Sequence, residues 1–307
     1  MRKTEIKLNA VIAGATKCAT SSVHSWLADH PEVCAASVKD SHYFVDRDYP
    51  YFNKKSNYYD HGLAGIDRYF HRCKNKPGVK IYLESTASYF DDQKTPLMAI
   101  SQIKPHPKII LIIRKPSERV ISAYKFFVNN ALHVETNLTF SEVLDMIRRS
   151  TVVSSDERLL IDMDNTLRTC RYIDFIPKWV NAFGNDCVRV FLFETLKKDP
   201  VGFMRDVSKY LGIDQKYWDG YDFKRHNESV GVKSRLLHRL ARSAGAFIPK
   251  RIKRESLLRE MYFKLNISKL PPPTEIDLKI LNELDEEFRP YNDALAEYLH
   301  IDLSAWR

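Results

Sequence analysis

The run KIILII, Lys108–Ile113, constrains the fold more than any other stretch of this chain. It is short, continuously apolar and β-branched. A strand with one wet face would alternate polar and apolar positions, so this one must be covered on both faces. Sheets of that kind are parallel and are crossed by helices. Ile6–Ala13 reads as a second buried strand ending at Gly14, with Val33–Ser37, Val79–Leu83 and Cys187–Phe193 as further strands. Helical stretches separate them. Ser22–Asp29 stops before His30 and Pro31, and another helix starts with Pro116 near its first turn and runs toward Asn130. Thr139 and Glu142 form a capping box for Phe140–Arg149. Arg168–Phe183 reads as one helix, Asp199 and Pro200 start one that ends at Gly212, and Thr274 caps a last long one. Strands alternating with helices predict an α/β fold with a central parallel sheet.

Two irregular stretches, Asp46–Tyr59 and Tyr217–Pro273, are each followed by renewed apolar structure, so residues 1–307 are expected to form a single domain with long loops. At 307 residues, with 44% hydrophobic and 28% charged residues, the chain is long and apolar enough for a core without disulfides or metals. Lys+Arg 48 minus Asp+Glu 39 leaves +9, which favours anionic partners. No nucleic-acid-binding motif accompanies that charge. No apolar run approaches the ~20 residues of a membrane span; Met1–Lys7 is polar and Leu8–Ala13 is too short for a signal-peptide core, so no targeting segment is expected. The five cysteines are an odd number without CxxC spacing, which speaks against a disulfide framework and a thiolate zinc site. The expected location is therefore the reducing cytoplasm.

Two constellations carry chemistry. Val11–Ser22, VIAGATKCATSS, is strand, small-residue loop and helix start. Such a loop aims backbone N–H groups and a helix N-terminus at one point, where an anion is favoured. Lys17 adds a charge there, and Thr20, Ser21 and Ser22 add hydroxyls. The triphosphatase pattern GxxxxGK[ST] is not met, because Lys17 follows Gly14 by three residues and precedes Cys18. The bland alternative is an ordinary βα turn with a solvated lysine. The second constellation, RKPSERVISAY, places Arg114 at the carboxyl end of the best strand and Ser122 on the next helix. Its alternative is a surface i,i+4 pair, Arg114–Glu118. Two anion sites on one sheet edge would suit a nucleotide with phosphates at two positions.

Taken together, these segments resemble the PAPS-dependent sulfotransferases, particularly the heparan-sulfate-type and bacterial branch; PAPS is 3′-phosphoadenosine 5′-phosphosulfate. GATKCATSS is similar to that family's 5′-phosphosulfate loop PKxGTTS, and RKPSERVISAY to its 3′-phosphate motif RxPxxRxxSxY. HPEVCAASVKDSHYF, IYLESTASYF and the tail LDEEFRPYNDALAEYLHIDLSAW are similar to HPxVxxxxxKExHFF, xxEKTPxYF and LxxxFxPxNxxLxxLLGxDxxxW. The likeness runs in order along nearly the whole chain. It implies a P-loop-like three-layer fold with helices flanking the sheet. It implies PAPS as donor, PAP as product, and nucleotide contacts by Lys17, Cys18, Ala19, Thr20, Ser21, Ser22, Arg114 and Ser122. NESVGVKSRLLHRL, similar to a nucleotide-side loop of the bacterial branch, adds Lys233, Ser234 and Arg235.

The resemblance also implies a carboxylate base at Asp40. His42 is the rival, because an unperturbed imidazole titrates near neutrality. Lys17 would neutralise charge growing on the leaving phosphate oxygen, and no metal is required. Thr16 stands where Pro is usual, Ala19 for Gly, Asp40 for Glu, and Ser85 for the Lys of the heparan-type enzymes. The expected acceptor is a small cytosolic metabolite, with a glycan as the alternative and a kinase-like phosphotransferase as the more distant one. The aromatic block Tyr43–Tyr59 either lines an acceptor pocket or packs a loop.

Overall fold

The computed structural model describes residues 6–73, 75–91, 94–130, 138–149, 151, 165–224, 231–232, 267–268 and 273–306. Five strands form one sheet: β1 Ala10–Gly14, β2 Val33–Ala35, β3 Ile81–Ser85, β4 Lys108–Ile113 and β5 Val188–Leu192. Their order is β2-β3-β1-β4-β5, and every neighbouring pair is parallel. All five residues of β1 are buried, as are Ile109–Ile113 of β4, so the two central strands are covered on both faces. The expected parallel sheet flanked by helices is what the chain forms.

The helices follow the local signals closely. α1 spans Thr20–Asp29, α2 Tyr58–His61, α3 Lys94–Ile100, α4 Pro116–Asn130 and α5 Phe140–Arg148. The Thr139–Glu142 capping box is present in both directions. Pro200–Leu211 begins with Asp199 accepting from the Gly202 N–H and ends at Gly212 in a left-handed conformation. Thr274 accepts from the Asp277 N–H at the head of Glu275–Leu299. Two expectations need correction. Arg168–Phe183 is not one helix: Thr166–Thr169 is followed by a tight turn at Tyr172–Asp174 and then Ile176–Phe183. Apolar periodicity did not register that break, because Tyr172 and Phe175 are buried on both sides of it. β1 begins later than Ile6 and includes Gly14, whose pairing partner is Leu111.

The cysteine reading is overturned. Cys34 of β2 and Cys73, at the end of the turn-rich segment Leu63–Cys73, form a disulfide with Cα atoms 5.9 Å apart. The partners are 39 residues apart, so no local spacing announces the bond. Disulfides persist in oxidising surroundings, which counts against the reducing compartment expected above. Among the described residues, no helix is long and apolar enough to cross a membrane.

The chain divides into two compact units: residues 1–120, 165–227 and 282–307 form the first, and 121–164 with 228–281 the second. The sheet lies wholly in the first. The second contains α5 and the short antiparallel pair Gly231–Val232 with Ile267–Ser268.

Candidate functional site

β3, β1 and β4 are adjacent, and each releases the chain at the same carboxyl edge of the sheet. This is the edge where open α/β sheets bind ligands. β1 leads into Ala15–Ala19, β3 into Thr86–Ser88, and β4 into Arg114. The segment beyond β2 joins them, since the Asp40 N–H donates to the Ser85 carbonyl at 2.8 Å.

The anion loop is built by close approach and unusual backbone. A Cβ on Gly14 would lie 2.4 Å from Phe90 Cβ, so only glycine fits there. The Ala15 N–H donates to Ile112 O at 2.8 Å, holding the loop's first residue to β4. Lys17 and Ala19 then adopt φ of 65° and 61°. Ala19 takes the left-handed conformation that glycine adopts freely, so the Gly-to-Ala departure leaves the loop shape intact at a local steric cost. Ala19 is also the residue before α1 and provides no side-chain cap, and the first turn carries no acidic residue. The Ser22 N–H closes this turn on Ala19 O at 3.0 Å, and the positive end of the helix dipole favours an anion at this place. Thr20 and Ser22 are buried and Ser21 is half-buried. The Cys18 side chain turns inward, with Sγ 3.4 Å from Thr16 O and 4.0 Å from the Tyr172 hydroxyl. Burial pushes its thiol up to about 11, so only its backbone N–H suits a ligand.

At the end of β4, Arg114 directs Nε and Nη2 to Glu118 Oε2 at 3.1 and 2.8 Å, and its guanidinium lies 4.5 Å from the centre of the Phe193 ring. The i,i+4 pair weighed against an anion contact is thus present, and it holds the guanidinium in place. Ser122 lies on α4, half-buried, in the second unit. Lys233, Ser234 and Arg235 lie outside the described residues.

The third segment carries the titratable groups. Asp40 and His42 both have left-handed backbone, with φ of 53° and 52°. Asp40 Oδ1 accepts from the Ala87 N–H at 3.2 Å, and Oδ2 pairs with Lys39 Nζ at 2.5 Å. With 40% of its side chain exposed, the carboxylate remains reachable from solvent. His42 stacks on Tyr51 with ring centres 4.9 Å apart, and its Nδ1 is 3.4 Å from Ser88 Oγ. Behind this segment sits Glu84, fully buried, whose Oε1 accepts from Ser41 and Thr86 hydroxyls at 2.8 and 2.6 Å. Its Oε2 has no hydrogen-bond partner among the described residues. Burial raises its pKa to about 7 despite the two donors, so the carboxyl is often neutral. His24 Nδ1 lies 2.8 Å from Ser85 Oγ, and burial lowers its pKa to about 4. Where the heparan-type enzymes carry a lysine, this chain has an uncharged serine–histidine pair.

Sequence reasoning missed three residues that organise this edge: Glu84, Arg119 and Tyr172. The side chain of Arg119 runs back to the loop after β1, donating to Thr16 O and Oγ1, both at 2.9 Å.

The family described as "Sulfotransferase domain" matches residues 8–252. The bifunctional heparan sulfate N-deacetylase/N-sulfotransferase 1 of Caenorhabditis briggsae is 24% identical over 237 residues, covering 74% of this chain and 25% of that protein. Its namesake from Mus musculus is 28% identical over 208 residues, covering 66% of this chain and 22% of that protein. The chain thus spans about a quarter of the length of the curated relatives it matches. A crystal structure of a sulfotransferase from Alicyclobacillus acidocaldarius has the same fold, with a TM-score of 0.64, 22% identity and 98% of each chain covered.

Proposed function

The chain belongs to the sulfotransferase domain family, and on that premise we propose that it moves the sulfuryl group of PAPS to an acceptor hydroxyl or amine and releases PAP. The observation that carries this reading is the uncapped start of α1 beside Lys17, on the same sheet edge as Arg114. One site suits the 5′-phosphosulfate and the other the 3′-phosphate. Residues 1–307 act in this reading as one sulfotransferase domain.

Sulfuryl transfer resembles phosphoryl transfer: the acceptor–sulfur bond forms in line as the sulfur–oxygen bond to the 5′-phosphate breaks. Lys17 and the amides of the loop and the first turn of α1 stabilise the charge that grows on the leaving oxygen. Asp40 takes the acceptor proton, with its carboxylate oriented by the Ala87 N–H and Lys39. His42 is the second choice, held by its stack on Tyr51. Asp40→Asn is expected to lower turnover about 100-fold and His42→Ala by less. Near-wild-type turnover in both folded variants would remove the base assignment.

For the acceptor, two observations favour a glycan hydroxyl or amine over a small cytosolic metabolite. The Cys34–Cys73 bond weakens the cytosolic premise, and the curated relatives are named as heparan sulfate N-sulfotransferases. Labelled PAPS with two acceptor sets, N-desulfated glycan chains and small phenols or amines, decides between them by mass spectrometry. Calorimetry with PAP tests the donor site; no heat with folded protein would end the reading.

A further inference from the structure

The anion loop leaves β1 and Arg114 ends β4, yet a ligand with phosphates at both ends benefits from two sites only when their separation is fixed. Misplacement by about 1 Å is enough to lose most of the benefit. The loop is not rigid by its own chemistry. Lys17 and Ala19 occupy left-handed backbone, which costs on the order of 1 kcal/mol or more each and persists only where surroundings over-determine it.

The surroundings that do so are two buried side chains, neither placed in the site by its sequence. Arg119 is 2% exposed. Its Nε and Nη2 donate to the carbonyl and hydroxyl of Thr16, the residue before Lys17, both at 2.9 Å. Its Nη1 donates to Thr169 O at 2.5 Å and lies 3.6 Å from Cys170 Sγ. Its guanidinium lies 5.7 Å from the centre of the Tyr172 ring. Tyr172 is 1% exposed. Its hydroxyl donates to Arg114 O at 2.8 Å, accepts from Arg114 N–H at 3.3 Å, and touches Cys18, the residue after Lys17. Both anion-binding segments are thereby fastened to one four-residue stretch, Thr169–Tyr172.

We propose that Arg119 and Tyr172 are positioning residues that set the distance between the two anion sites. This rests on the reading of the ligand as a bisphosphorylated nucleotide. Neither side chain is exposed enough to meet that ligand, so both act through Thr16, Cys18 and Arg114. A buried guanidinium is a costly way to fill space. It supplies what apolar packing lacks: several directional bonds that hold backbone atoms at set positions. The Thr16 hydroxyl contact depends on this departure, since the proline usual at that place has no hydroxyl.

The test measures how much affinity the 3′-phosphate adds. Calorimetric Kd values for PAP and for adenosine 5′-phosphate are compared in wild type and in Tyr172→Phe, which removes only the bridging hydroxyl. The advantage of PAP is expected to fall about tenfold, with adenosine 5′-phosphate affinity changed less than about threefold. Arg119→Lys, which keeps charge but not the forked contact to Thr16, is expected to lower the advantage of PAP about threefold as well, and an unchanged advantage there removes Arg119 from the spacing role. An unchanged advantage in Tyr172→Phe, or an equal loss for both ligands there, overturns the spacing role. Should Tyr172→Phe not fold, Thr16→Ala takes its place, with the advantage expected to fall about threefold and an unchanged value overturning the proposal. A wild-type protein that binds neither nucleotide defeats the donor assignment instead, so the two failures are distinct.

Discussion

On one side of β1, the anion loop is fastened by a guanidinium that keeps its charge at any accessible pH. On the other, the Asp40–Phe44 segment is fastened through the Ser41 hydroxyl to the carboxyl of Glu84, which titrates near neutrality. Both anchors are buried, and both replace apolar packing with directional bonds. They differ in what holds them. The arginine donates to two backbone carbonyls and a hydroxyl, none of which changes charge. The glutamate receives two hydroxyls on one oxygen and none on the other. The anchor of the Lys17 loop therefore keeps its charge across the physiological pH range, whereas the anchor behind Asp40 responds to protons.

The largest effect that separates the two sides is expected from Lys17→Ala. Removing the charge opposite the leaving oxygen should lower kcat about 100- to 1,000-fold with the melting temperature little changed. Steady-state kinetics on the folded variant checks this. An activity within a few-fold of wild type would break the assignment of the loop to the leaving group.

A smaller effect concerns proton linkage. Glu84 has its pKa raised from 4.5 to about 7, because burial disfavours the carboxylate. The folded chain thus holds a proton that the unfolded chain releases. The associated stability is fully present below about pH 4.5 and is lost as pH rises through about 7. Its full size is on the order of 3 kcal/mol. His24 has the opposite sign: lowered from 6.5 to about 4, it contributes above about pH 6.5 and loses that as pH falls through about 4. Glu84→Gln should flatten the fall in melting temperature between about pH 5 and 8, leaving the His24 limb in place. Identical pH profiles for the two proteins would show that Glu84 does not titrate in this window.

The smallest effect is expected at Ala19. Ala19→Gly removes the steric cost of φ 61° but adds backbone entropy to the unfolded chain. The two nearly offset, leaving a gain of about 0.5 kcal/mol, read as a small rise in melting temperature. A clear loss of stability would mean that the methyl group packs favourably in the loop.

Much of the fold was legible because its signals are contiguous. KIILII had to be a covered strand, Thr139 and Glu142 lie one turn apart, and Gly14 to Ser22 carries its small residues and lysine in one run. The irregular character of Asp46–Tyr59 was legible for the same reason, though the stack of Tyr51 on His42 was not. The helix expected at Arg168–Phe183 failed where a turn with two buried aromatic residues preserves apolar spacing.

The sequence by itself determined the parallel α/β architecture, the small-residue loop from strand to helix and the arginine at the end of β4, since each follows from neighbours along the chain. Only the tertiary structure decided the Cys34–Cys73 bond, the reach of Arg119 to Thr16 across 103 residues and the burial of Glu84 behind Ser41. Those contacts join residues whose separation in sequence says nothing of their distance. Their energies depend on burial, which exists only once the sheet has brought its strand ends together.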